Sequence, residues 1–168
     1  ALREGGEAPV DYLEKLGEAF GMEVDLRDPE KRKDEAYRLH TEYALRSTAY
    51  IADKLRDWCG QNDRKLMVLL SYDTPTVKEF IQKGSRFDAP FVDYLEENDY
   101  TYVDCLEAAA QEYEDFGCPV DDFLSRHYIA RAGAQVFGHY NPAGNFWFAH
   151  AIRRPLAQWL DPAPPSYR

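Results

Sequence analysis

Apolar positions along the chain change period several times, and each change marks an element. Residues 10–20 carry Leu13, Leu16 and Phe20 on one side of a short amphipathic helix. A longer helix follows. Asp28 is suited to cap it and Pro29 to occupy its first turn, where a missing N–H is no loss. Ala36, Leu39, Tyr43, Tyr50, Ile51, Leu55 and Trp58 then recur at helical spacing, against a charged face that reads as solvated. Gly60 reads as the stop. Residues 65–70, "KLMVLL", break the period. A short, continuous apolar run between "NDR" and "SYDTP" is the pattern of a strand buried on both faces, as in a parallel sheet.

Thr74 with Pro75 starts a helix through Phe80 and Ile81 that ends near Gly84, and Asp88 with Pro90 starts another through Leu95. Residues 100–105, "YTYVDC", predict a second strand, a parallel neighbour of the first. "LEAAAQEYEDFG" is helical with a glycine stop, and "PVDDFLSRHYI" predicts a further short helix. The resulting order, α-α-β-α-α-β-α-α, predicts an α/β fold: a three-layer, flavodoxin-like parallel sheet with helices on both faces, incomplete because only two strands are legible. Residues 1–160 are expected to form one such domain, or the C-terminal part of a larger one. Residues 161–168, "DPAPPSYR", read as a Pro-rich tail.

The last block, "VFGHYNPAGNFWFAHAI" at residues 136–152, carries the candidate chemistry. Asn141 is a good N-cap and Pro142 suits the first helical position. Gly144 in the first turn costs stability relative to alanine, which implies a close backbone approach by another element. Phe146, Ala149 and Ile152 continue the helix. It is expected to end or kink near Arg154, before Pro155, with Leu156, Trp159 and Leu160 in a last short helix. His139 is thereby expected on a loop entering a capped helix, partly exposed. Ligands of open α/β sheets bind beyond the carboxyl ends of the strands. Here those ends are Ser71, Tyr72 and Asp73, and Asp104, so His139 is expected to join them on one rim.

"HYNPAGNFWFAHAI" resembles the last block of the SGNH (GDSL-like) hydrolases, Asp-x-x-His-x-Asn-x-x-Gly-His followed by an amphipathic helix. The resemblance runs over residues 30–160 and implies an SGNH-like sheet. It also implies that His139 is the general base activating a serine, with Asn141 as the cap and Gly144 as the small first-turn residue. Asn145 stands where the family often has a second histidine. The implied reaction is hydrolysis of a small-molecule ester or acylated carbohydrate through a serine ester. The departures are equally specific. Val136 occupies the position of the family's orienting acid, for which Asp104 is the candidate replacement. No Gly-Asp-Ser block is present. "GQND", residues 60–63, follows a helix and reads as a stop and turn. Ser71 lies in "LLSYDT", which is not a nucleophile elbow.

Composition narrows the partners. Thirty acidic against twenty basic residues give a net charge of −10, which argues against nucleic acid or an anionic membrane as the main partner. Arg153 and Arg154 form the one late basic pair. No apolar run approaches a membrane span, and the first residues carry neither an initiating Met nor a signal-peptide pattern, so a mature form or a fragment is expected. Cys59, Cys105 and Cys118 are scattered without a CxxC, and His40, His127 and His150 show no metal-ligand spacing, so neither metal nor cofactor is expected. Two functional expectations stand side by side. One is a partial or divergent ester hydrolase, inactive as this chain alone. The other is a non-catalytic α/β binding or assembly module. In either case an unpaired sheet edge and the aromatic stripe of the long helix predict self-association as a homo-oligomer.

Overall fold

A computed structural model describes residues 9–131 and 134–161. In chain order they form α1 (Val10–Ala19), α2 (Arg32–Gln61), β1 (Val68–Leu70), α3 (Thr74–Lys83), α4 (Ala89–Glu97), β2 (Tyr102–Asp104), α5 (Cys105–Phe116), α6 (Val120–His127), β3 (Tyr128–Arg131), β4 (Ala134–Tyr140) and α7 (Pro142–Leu160). The packing divides into two compact units. Unit 1 takes residues up to Lys65 together with Phe87–Tyr94, and unit 2 takes Leu66–Arg86 together with the chain from Leu95 onward.

In unit 1 the helix predicted at residues 10–20 is present as α1. The segment after it is tied back by Arg27, which pairs with Asp11 and with Glu14 Oε2 at 3.1 Å. The long helix begins later than its cap signal suggests. The Asp28 carboxylate accepts from the Glu30 N–H at 2.9 Å and closes a local turn, and α2 starts only at Arg32, whose N–H reaches the Asp28 carbonyl. Gly60 does not stop it. The helix passes through to Gln61 and closes at Asn62, whose side-chain amide donates to the Trp58 carbonyl at 2.7 Å. Of the apolar positions on α2, Leu39 is buried. Tyr43, Tyr50, Ile51, Leu55 and Trp58 instead stand 47 to 62 % exposed. From α4, the Tyr94 hydroxyl donates to Asp53 Oδ1 at 2.6 Å.

In unit 2, β1 and β2 pair in parallel, Val68 against Tyr102 and Leu70 against Asp104, as the two apolar runs predict. Each strand is three residues long and passes almost at once into a helix. The second sheet is a separate antiparallel pair, β3 with β4, registered Tyr128 against Tyr140 and irregular between Tyr128 and Ala130. These two small sheets overturn the expected three-layer, flavodoxin-like or SGNH-like parallel sheet. The described residues are mostly helical, and the strands are too few and too short to form a layer. The hairpin escapes sequence reading because "IARAGAQ" is rich in Ala and Gly and lacks the β-branched alternation of a strand. One consequence is a second correction: His139 is the penultimate residue of β4 rather than a loop residue.

The core of unit 2 gathers Val77, Val103, Leu106, Phe123, Leu124, Tyr128 and Trp147. Gly144 fulfils its expectation. A Cβ there would lie 1.9 Å from the His127 carbonyl oxygen, the same oxygen that accepts the Asn141 N–H at 3.0 Å. The helix does not end at Arg154 with a separate short helix after it; α7 continues through Pro155 to Leu160. Ile152, Pro155, Leu156 and Trp159 keep one half-buried stripe across the proline. That continuous packing holds the helix where one backbone donor is lost. Asp161 closes α7, and the remainder of the expected tail lies outside the described residues.

Candidate functional site

The strand–helix junctions of unit 2 explain why the predicted acids stand where they do. A chain leaving β1 or β2 turns directly into a helix whose first N–H groups lack intrahelical partners. Asp73 and Asp104 fill that need. Asp73 Oδ1 accepts from the Thr76 N–H at 3.0 Å and from the Thr76 hydroxyl at 2.5 Å. Asp104 Oδ1 accepts from the Leu106 N–H at 2.9 Å. Its other oxygen receives Arg86 Nη1 at 2.6 Å in a pair only 13 % and 9 % exposed, and Arg86 Nη2 donates onward to the Tyr72 hydroxyl at 2.7 Å. Asn141 plays the same part for α7. Its Oδ1 accepts from the Gly144 N–H at 2.9 Å, while its amide donates to the carbonyls of Arg126 and Tyr128 at 3.0 and 3.3 Å.

Part of the expected rim is assembled. Gly138 has φ +53°, and a Cβ there would meet Asp73 Cβ at 3.2 Å, so the end of β4 lies against the α3 cap. His139 follows directly and is exposed. Ser71 reaches the same strand end, its hydroxyl 3.4 Å from the Tyr140 hydroxyl. Ser71 and Asp73 are thus brought to the segment that carries His139. Asp104 is turned into the Arg86 pair, and Asn141 into the α7 turn. The Ser71 hydroxyl lies against the Tyr140 phenol.

A second constellation was not foreseen. An open groove of about 710 Å³ runs between α5 and α7, with Glu112 and Asp115 on one wall, Phe146, Trp147 and His150 on the other, and His127 at its base. His127 is 7 % exposed, and its ring packs against Phe123 and Trp147 at centroid distances of 4.8 and 5.6 Å. Its Nδ1 lies 3.0 Å from the Phe123 carbonyl. A carbonyl only accepts, so Nδ1 carries the proton and Nε2 is the ring nitrogen on the Glu112 side. Glu112 Oε1 stands 3.8 Å from it. Burial raises the Glu112 pKa, against the pull of His127 and then His150. Sequence reading had no handle on this pair, because fifteen positions and a helix boundary separate the two residues.

Among the described residues no group of three or more His, Cys, Asp or Glu side chains could hold a metal ion. No described helix is long and apolar enough to cross a membrane. Comparison with known proteins finds no matching family, no matching curated protein and no matching solved structure.

Proposed function

We propose that this chain is a non-catalytic assembly module that pairs with a second copy of itself through the outer face of α2. One observation carries the reading: Tyr43, Tyr50, Ile51, Leu55 and Trp58 stand about half exposed along a single 30-residue helix. Exposed apolar side chains scattered singly are ordinary, but a contiguous stripe marks an interaction surface. Tyr37, Ala44, Ile51 and Trp58 recur at intervals of seven, the period that keeps one seam facing a partner helix. Aromatic and large aliphatic side chains half covered already have on the order of 100 Å² each left to bury. Six such residues, with Tyr37, offer about 600 Å² per copy, and a symmetric pair reaches about 1,200 Å², the lower bound of specific interfaces. A second copy is the occupant that supplies a matching apolar seam by construction.

Sedimentation velocity at high micromolar concentration tests the reading. The wild type is expected as a dimer and the I51E/W58E variant as a monomer. A clean wild-type monomer refutes it.

A second reading keeps His139 as a general base for an ester hydrolase whose serine lies outside the described residues. The approach of Gly138 to Asp73, which holds His139 at the β1 rim, favours it. Hydrolysis of a short-chain nitrophenyl ester, lost in His139→Ala and retained in Ser71→Ala, would support this reading over the first.

A further inference from the structure

We propose that the α5–α7 groove of unit 2 is a binding site for a primary ammonium carried on a short apolar or aryl stem. The inference is independent of the pairing face on α2.

The recognising atoms are His127 Nε2 and the Glu112 carboxylate. With Nδ1 bonded to the Phe123 carbonyl, the uncharged form of the His127 ring offers Nε2 as an acceptor, and the carboxylate offers only acceptors. Their separation of 3.8 Å is too long for a hydrogen bond between them and short enough for one donor centre to bond both. His127 is more than nine-tenths buried, and both it and Glu112, the residue its Nε2 approaches, line the groove. An occupant that bonds both at once donates at least twice from one centre. A hydroxyl donates once. A carboxylate or phosphate donates nothing and is repelled by Glu112 and Asp115. An ammonium has three donors and the complementary charge.

The walls fit the remainder of such a molecule. Trp147 and Phe146 present aromatic rings, which attract a cation across their faces and cover a hydrocarbon stem. Phe146 is 76 % exposed at the mouth of the groove, its ring stacked on His150 at a centroid distance of 6.5 Å and its outer face open to an occupant. Free arylalkylamines and the side chain of a peptide lysine share this chemistry, and the groove is open enough to admit either.

Isothermal titration of the intact chain at pH 7.5 decides. The probes are phenethylamine, Nα-acetyl-lysine amide, phenethyl alcohol and trimethyl(phenethyl)ammonium. Phenethylamine or acetyl-lysine amide is expected to bind saturably, and whichever binds more tightly identifies the source. The alcohol, which lacks the charge and two donors, and the trimethyl cation, which lacks every donor, are each expected to bind at least about tenfold more weakly. E112Q keeps the shape and removes the charge, and is expected to weaken the amine about tenfold; D115N is expected to weaken it less. Equal binding of amine and trimethyl cation would overturn the two-acceptor site. So would an amine affinity unchanged in E112Q, or no saturable binding of either amine. Should E112Q fail to fold, the comparison of amine with trimethyl cation on the wild type decides alone.

Discussion

Gly144→Ala is the most severe small change that can be made to unit 2. The added methyl would lie 1.9 Å from the His127 carbonyl oxygen, 2.8 Å from its carbon and 2.9 Å from the Tyr140 ring. Ordinary contact needs roughly 1 Å or more of retreat, and what must retreat is backbone. That backbone is fixed at both ends: the His127 carbonyl holds the Asn141 N–H, and the His127 ring is packed against Phe123 and Trp147. Overpacking of this kind costs about 1–3 kcal/mol, and loss of the Asn141 bond adds about 1 kcal/mol. Better helix propensity returns about 1 kcal/mol. The net expectation is destabilisation by about 1–3 kcal/mol, which in a chain of this size lowers the melting temperature by about 2–12 °C. The assay is thermal unfolding followed by tryptophan fluorescence, with Gly60→Ala as the control. Gly60 lies within α2 with open space where its Cβ would be, so the same substitution there is expected to stabilise by up to about 1 kcal/mol. A Gly144→Ala protein melting with the wild type would refute the claimed contact between the α7 start and the α6–β3 junction.

Asp104→Asn retains a cap for α5 but removes the charge opposite the nearly buried Arg86, and is expected to cost about 3 kcal/mol in urea unfolding; a loss within error of zero would show the pair to be solvated. Burial, with the Asp104 carboxylate beside it, pushes the Cys105 thiol from 9 up to about 11, and burial with the bond to Glu96 pushes Tyr102 up to about 12. Both groups stay neutral in the folded chain at a pH where the unfolded chain ionises them. The Cys105 contribution is therefore complete below pH 9 and is lost as the pH rises from 9 to about 11, and the Tyr102 contribution is complete below pH 10 and is lost between 10 and about 12. A melting temperature that falls over this range, less steeply in Cys105→Ala, is the expected outcome. In native protein at pH 8, Cys59 and Cys118 should alkylate before the buried Cys105, by mass spectrometry of the labelled peptides.

Local rules carried much of the reading. Thr74 with Pro75, Asn141 with Pro142, and the stops at Gly84 and Gly117 are self-contained signals, written within four residues, and each is found within a residue of its place. The parallel pairing of β1 with β2 was legible because two short apolar runs flank helices. What failed is what depends on distant partners. A capping aspartate and a catalytic aspartate look alike in sequence, so Asp73 and Asp104 were expected to serve a site and are found serving helix starts. The apolar stripe of α2 has helical period whether its face is covered or bare. The Glu112–His127 pair exists only because α5 and α6 pack together, and no motif spans that distance. The sheet was overestimated because alternation of strands with helices says how elements follow one another, not how long each strand continues to pair.

Unit 1 borrows Phe87–Tyr94 from the middle of the sequence that builds unit 2, and this makes the two inseparable as gene segments even though each has its own packing. A cut between residues 62 and 66 severs Asp53 from its Tyr94 partner and strips unit 1 of the buried Phe91 and Val92. Extending the first piece to residue 94 restores those residues but carries β1 and α3 away from β2 and α5, and leaves β1 without the strand that pairs with it. Any shortened version that is to retain unit 1 without dividing unit 2 must therefore keep the whole stretch from α1 through β2 and on through the rest of unit 2, and a cut at residue 65 is expected to destabilise unit 1 while leaving every residue of unit 2 on one piece.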